Sequence, residues 1–226
     1  AKCCATLVEI LLQAQKDENV HCVVIRGQDS IFCAGADLKE TLERTEETES
    51  AYRALIEALI AFDKPLLAAV QGPCLGLGVA ILTYCDMVYC SEKALFSMPF
   101  TALGLTPEYG LSLASIGKAG YQKAAEKLLL SEPISAIEAS EMGLITGICK
   151  AENVLEETLS RAARLAQMPL GGLRATKKLL RRHLAQQIRS ALQMEQEQTA
   201  HRLKDPDTKE AICAFQEGRM PRFTQN

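Results

Sequence analysis

Gln71-Gly72-Pro73-Cys74-Leu75-Gly76-Leu77-Gly78-Val79-Ala80-Ile81-Leu82-Thr83-Tyr84-Cys85-Asp86 is the stretch whose reading decides the fold. Before it runs Lys64-Pro65-Leu66-Leu67-Ala68-Ala69-Val70, a short apolar segment bounded by Pro and Gly, which reads as a buried strand. After the glycines, residues 79–84 are apolar with no breaker and read as a buried helix. Gly72, Gly76 and Gly78 let the backbone take positive φ and let a second molecule approach closely. A glycine turn that opens a helix also leaves N–H groups without intrahelical acceptors, able to face an anion or a developing oxyanion. A plain strand-to-helix connection without a ligand fits the same residues equally well.

Working outward, Leu7, Ile10, Leu11 and Ala14 fall on one face of an amphipathic helix over residues 6–14. Residues 21–25 read as a buried strand closed by Arg26-Gly27, and 32–38 as a small-residue segment. Residues 39–50 are strongly charged with almost no apolar pattern, which predicts a solvated, mobile segment. Tyr52, Leu55, Ile56, Leu59 and Ile60 then repeat at helical spacing. Further strands are expected at 86–90, 94–96 and 144–149, a loop at 99–110, and helices at 121–130, 136–142 and 154–166. This alternation predicts an α/β fold with parallel pairing. The tail over 170–201, rich in Leu, Ala, Gln, Arg and Lys, predicts one long amphipathic helix with Leu179, Leu180, Leu184, Ile188 and Leu192 on a stripe. That stripe needs cover, either from the body or from another subunit. A break at Asp205-Pro206-Asp207 precedes a last short helix over 208–217.

At 226 residues the chain is long enough for a real core, and 48% hydrophobic with 23% charged residues fits a globular protein. A net charge of −3 makes no electrostatic case for nucleic acid or an anionic membrane. No apolar run approaches the roughly 20 residues that span a bilayer. The nine cysteines are odd in number and irregularly spaced, several of them in apolar runs, so reduced thiols acting as small hydrophobes are expected. No Cys/His pair has zinc spacing, and no metal site is expected. His21, His183 and His201 lie far from either glycine turn and read as structural. With no targeting pattern at Ala1-Lys2-Cys3-Cys4 and no Ser-Lys-Leu address at Thr224-Gln225-Asn226, the cytoplasm is the expected compartment, the mitochondrial matrix the alternative.

Gly76-Leu77-Gly78-Val79-Ala80-Ile81 lacks the third glycine of a dinucleotide fingerprint, and the hydrolase, phosphate-loop and metalloprotease motifs are missing. What remains is two small-residue turns, Ala34-Gly35-Ala36-Asp37 and Gly76-Leu77-Gly78, and one carboxylate in Leu105-Thr106-Pro107-Glu108-Tyr109-Gly110. On these, with Phe32-Cys33, Cys85-Asp86 and the tail Ala214-Phe215-Gln216-Glu217-Gly218-Arg219-Met220-Pro221-Arg222-Phe223, the chain resembles the enoyl-CoA hydratase/isomerase (crotonase) superfamily over nearly its whole length. The resemblance implies a crotonase-like spiral of ββα units over 1–166 and a helical C-terminal region over 167–226 that makes trimers or dimers of trimers. It also implies an oxyanion hole made of the Ala36 and Leu77 N–H groups, holding an acyl-CoA thioester oxygen. The chemistry agrees, since a proton next to a thioester leaves readily only when the enolate oxygen is stabilised.

Hydratases resembling this chain carry two glutamates, at positions that are Ala80 and Phe100 here. Water addition wants one group to activate water and another to deliver a proton, so hydration is disfavoured. Residues 96–108 are instead similar to peroxisomal-type Δ3,Δ2-enoyl-CoA isomerases and their bacterial relatives, in which the Pro-Glu supplies a single base. Carried over, Glu108 shuttles a proton from C2 to C4 of a 3-enoyl-CoA in β-oxidation. Apolar surroundings would raise its pKa, and a helix opening at Pro107 would lower it. Tyr109 departs from the small residue that relatives carry and either narrows the acyl pocket or redirects Glu108.

Ala34, Asp37, Leu38, Lys39 and Gly76, with Phe215 and Arg219 from the tail, are the implied CoA and substrate contacts. Lys39 and Arg219 read equally well as solvated charges, and Asp37 as a cap of its own turn. No cofactor is expected, coenzyme A arriving as part of the substrate. Two other readings stand beside the isomerase: another enolate-forming acyl-CoA enzyme such as a weak hydratase, and a non-catalytic acyl-CoA-binding or scaffold member. Relatives begin with a strand pair ahead of the first helix, which this chain does not show before Thr6.

Overall fold

The computed structural model describes residues 1–182 and 184–223; the expectations for His183 and for Thr224-Gln225-Asn226 lie outside the described residues. A parallel sheet of β1 (Val23–Arg26), β2 (Leu66–Val70), β4 (Met87–Ser91) and β7 (Gly147–Cys149) runs in the order β1-β2-β4-β7. A second sheet contains β3 (Cys74–Leu75), β5 (Leu95–Ser97) and β6 (Ile134–Ser135), with β3 and β5 parallel. The expected α/β class is what the chain adopts.

β2 explains why its sequence is a continuous apolar run. It is the inner neighbour of both β1 and β4, and all five of its residues are buried. Successive side chains of a strand point to opposite faces. Leu66, Ala68 and Val70 join the main core, against α3 (Glu46–Ala61) and α4 (Leu77–Thr83). Leu67 turns to the other face, where Ala162 and Leu165 of α8 (Val154–Ala166) cover it. Around this frame lie α1 (Lys2–Lys16), α2 (Leu38–Glu43), α5 (Leu111–Ala119), α6 (Tyr121–Leu130) and α7 (Ala136–Glu141). The tail comprises α9 (Leu170–Arg181), α10 (Leu184–Arg202) and α11 (Pro206–Glu217). Among the described residues no helix is long and apolar enough to cross a membrane.

Three expectations are corrected. The charged run 39–50 is helical, not a solvated loop: α2 ends at Glu43 and α3 starts at Glu46, capped by Thr45, whose hydroxyl accepts the Thr48 N–H. Glu46, Glu47 and Glu49 in its first turn suit the positive end of the helix dipole. The tail is two helices rather than one. α9 turns Lys177 and Arg181 onto Asp86, whereas α10 crosses towards α3 and α5 to bind Glu57, Gly110 and Ser112. Its stripe divides accordingly: Ile188 and Leu192 pack on the core, while Leu179, Leu180 and Leu184 are exposed. Finally, α5 follows directly on the 99–110 loop, in a region where no helix was expected.

Asp86, at the end of the decisive stretch, ties α9 to the sheet. Its Oδ2 accepts the Leu66 N–H at 2.8 Å and lies 2.7 Å from Lys177 Nζ, and its Oδ1 is 3.2 Å from Arg181 Nη2. Lys177 is 6% exposed, and burial pushes its pKa down to about 8. Removing one partner of such a cluster strands the other. Asp86→Ala is expected to lower unfolding stability by about 3 kcal/mol, measured by urea denaturation. A loss below about 1 kcal/mol would mark the cluster as an ordinary surface pair.

Candidate active site

The two small-residue turns meet because their flanking segments are laced together. The N–H groups of Phe32 and Cys33 donate to the Pro73 carbonyl at 3.0 and 3.3 Å, and the Leu75 N–H donates to the Cys33 carbonyl at 2.9 Å. Gly76 has φ +47°, a region costly for other residues, and its N–H donates to the Ser97 carbonyl at 2.9 Å. Gly78 is required by proximity: a Cβ there would lie 2.7 Å from Cys33 Cβ. Leu77 is the first residue of α4, so its N–H has no intrahelical acceptor. Among the described residues neither the Leu77 nor the Ala36 N–H donates to a backbone carbonyl.

Ala34, Ala36, Leu38, Gly76 and Leu77 line one cleft of about 110 Å³ together with Glu108 and Phe215. Its walls are largely apolar, with Phe100, Leu103 and Leu105 contributing. Three expected residues are not on this lining. Asp37 caps α2, its Oδ1 accepting the Lys39 N–H at 2.7 Å. Lys39 is exposed, and Arg219 is paired with Glu210 at 2.6 Å and Glu217 at 2.5 Å. Ala80 and Phe100 are both buried and apolar. Among the described residues no cluster of His, Cys, Asp and Glu is placed to hold a metal ion.

Glu108 is 5% exposed, and burial raises its pKa against the opposing pull of Arg44. Pro107 does not open a helix: α5 begins at Leu111, and its N-terminus serves another carboxylate. Glu195 Oε2 accepts the Gly110 N–H at 2.7 Å, and its Oε1 accepts the Ser112 N–H at 2.9 Å and the Ser112 hydroxyl at 2.5 Å. The favourable end of α5 is therefore occupied by Glu195, so burial governs Glu108. Tyr109 sits at φ +64°, its carbonyl accepting the Tyr84 hydroxyl at 2.7 Å and its ring packed edge-on against Tyr52 at 5.8 Å. Tyr109 and Glu108 line both the cleft and a second cavity of about 190 Å³ between α3 and α10.

Two site residues escaped the sequence reading. Arg44 Nη2 lies 2.6 Å from Glu108 Oε1, and its Nε lies 2.5 Å from Glu49. The Thr45-Glu46-Glu47-Thr48 cap was a usable signal that the run is helical. Nothing in the sequence marked Arg44 as facing Glu108. Glu195 carried no signal at all, lying among polar residues of a tail helix.

An apolar cleft bearing two backbone donors and one buried carboxylate suits removal of a proton next to a carbonyl whose oxygen becomes negative. The model of the enoyl-CoA hydratase/isomerase family matches residues 1–226, and the chain belongs to this family. It is 32% identical to the 2,3-dehydroadipyl-CoA hydratase of Escherichia coli, covering 96% of this chain and 86% of that protein. It is 29% identical to the 1,2-epoxyphenylacetyl-CoA isomerase of the same organism, covering 97% and 87%. The crystal structure of an enoyl-CoA hydratase/isomerase from Pseudoalteromonas atlantica superposes with a TM-score of 0.92 at 28% identity, covering 98% of this chain and 88% of that one. The crotonase fold is thereby established.

Glu195 should matter to loop order. Glu195→Ala removes the acceptor of three donors and is expected to cost about 2 kcal/mol. Amide exchange at Gly110 and Ser112 should accelerate in the variant. Unchanged exchange at both positions would count against a clamping role.

Proposed function

We propose that the chain is a Δ3,Δ2-enoyl-CoA isomerase in which Glu108 is the single base and the Ala36 and Leu77 N–H groups hold the thioester oxygen. The observation that carries this is that Glu108 is, among the described residues, the one carboxylate on the apolar cleft of about 110 Å³, which both donor residues line. Glu108 takes a proton from C2, and the thioester oxygen gains the charge that the two N–H groups stabilise, each donor of this kind being worth roughly 3 kcal/mol. The electron pair returns to form the C2–C3 double bond as the C3–C4 double bond opens. Glu108 then delivers the same proton to C4, so one carboxylate balances the reaction. No redox partner enters, and coenzyme A comes and goes with the substrate. A carboxyl whose pKa burial has raised is a better shuttle than an ordinary one, because it holds the proton more readily between the two steps.

Ala34, Leu38 and Phe215 form an apolar rim suited to the CoA portion, with Phe215 66% exposed. Arg219 would reach a phosphate by leaving Glu210 and Glu217. The hydratase name of the Escherichia coli relative favours a second reading, in which Glu108 alone adds water to a 2-enoyl-CoA. Ala80 and Phe100, standing where hydratases carry their glutamates, argue against it.

Glu108→Gln is expected to abolish isomerisation of 3-enoyl-CoA, followed spectrophotometrically, by about a thousandfold or more. In the wild type, kcat/KM should fall as pH drops through the raised Glu108 pKa, an acid limb lying above the ordinary glutamate value of about 4.3. Hydration that survives the substitution would replace the isomerase reading, and thioester binding without turnover would leave an acyl-CoA-binding protein. Tyr109→Ala would open the shared wall into the second cavity and shift the preferred acyl chain to longer lengths. An unchanged chain-length profile would show that Tyr109 does not bound the acyl space.

A further inference from the structure

Building on the isomerase reading, we infer that Arg44 is a positioning residue for Glu108: it holds one carboxylate oxygen from behind and leaves the other as the base. The geometry is one-sided. Arg44 lines the second cavity and not the cleft, whereas Ala36 and Leu77 line the cleft and not the second cavity. Glu108 lines both, so the guanidinium meets it from a different side than the oxyanion donors. The contact is Nη2 to Oε1 at 2.6 Å, with Arg44 and Glu108 side chains 15% and 6% exposed. A short, charge-assisted bond of this kind fixes the carboxylate plane. Proton transfer at two carbons of one substrate depends on that plane being fixed.

Arg44 is itself held. Its Nε is anchored on Glu49, which Gln196 of α10 also contacts. Its backbone sits at φ +24°, strained for a residue with a Cβ, and its N–H donates to the Glu40 carbonyl at 2.8 Å. Such strain persists where the surroundings over-determine it. The short turn between α2 and α3 thus aims the side chain inward, from a run in which Lys39, Glu43, Glu46 and Glu47 are exposed.

The electrostatic balance at Glu108 follows from the groups facing it. Arg44 comes from the α2–α3 turn, Glu49, Tyr52, Arg53 and Glu57 from α3, Arg189, Glu195 and Thr199 from α10, and Tyr109 from its own loop. Arg44 is the cation in direct contact with the carboxylate, and it opposes both the desolvation of Glu108 and the negative charge of Glu49. Taking it away leaves only the Thr199 hydroxyl to oppose them, and the carboxyl then protonates at higher pH.

The test compares wild type, Arg44→Gln and Arg44→Lys in pH profiles of 3-enoyl-CoA isomerisation. It adds carbon NMR of the Glu108 carboxyl, assigned by the signal lost in Glu108→Gln. Arg44→Gln should move the acid limb of kcat/KM up by about one pH unit or more. Its kcat should fall further below the wild-type value on the acid side of the profile than at pH 8, with KM nearly unchanged. Arg44→Lys should restore the limb, because it keeps the charge, but recover kcat only partly, because it lacks the planar fork. A general packing defect would lower activity at all pH values and leave the limb where it was. A wild-type limb together with wild-type Glu108 carboxyl titration in Arg44→Gln would overturn the inference. Failure of the isomerase reading is separately visible, as a wild type without turnover, while the carboxyl titration still decides whether Arg44 governs Glu108.

Discussion

The lacing of residues 32–33 to residues 73–75 is the constraint on which the site depends. Two turns far apart in sequence line one cleft because their flanking backbones share three hydrogen bonds. Gly78 permits it, since a methyl group there would collide with Cys33. The lacing is anchored in turn by the buried parallel sheet, where β2 leads into the glycine turn and Asp86 closes it back against Leu66. In the proposed reaction, backbone donors fixed in this way would need no reorganisation as charge develops.

Against this rigid wall the carboxylate side is built by long-range pairing. Glu108 is almost fully buried, an expensive position for a charged group. Arg44 offsets part of that cost, yet burial still dominates and the carboxyl titrates above its ordinary value. That intermediate balance would suit the proposed shuttle, which takes up a proton and releases it again. α10 supports the arrangement from above: Glu195 fixes the start of α5, Thr199 meets Thr106 at 3.0 Å, and Gln196 contacts Glu49. The family's architecture is thus combined here with a charge network reaching from the α2–α3 turn to the tail.

Reading the sequence succeeded where structure is local. The helices at 121–130 and 154–166 have the limits their apolar spacing indicates, and the continuous apolar run before Gln71 is the doubly covered central strand. It failed at residues 39–50, where charge was taken to mean solvent although Thr45 and the acidic first turn start a helix. It also joined α9 to α10, because a continuous stripe of leucines does not reveal that its two halves have different partners. α5 went unread beside a loop rich in Gly and Pro.

By itself, the sequence determined the two small-residue turns, the Pro107-Glu108 carboxylate and the apolar character of Ala80 and Phe100. These are matters of residue type and backbone freedom, fixed within a few positions of each other. Tertiary structure alone decided what surrounds Glu108: Arg44, 64 residues away, on one oxygen, and Glu195, rather than Glu108, at the opening of α5. Pairing between side chains so far apart leaves no period or spacing in the chain, since it arises only when separately folded elements are packed together.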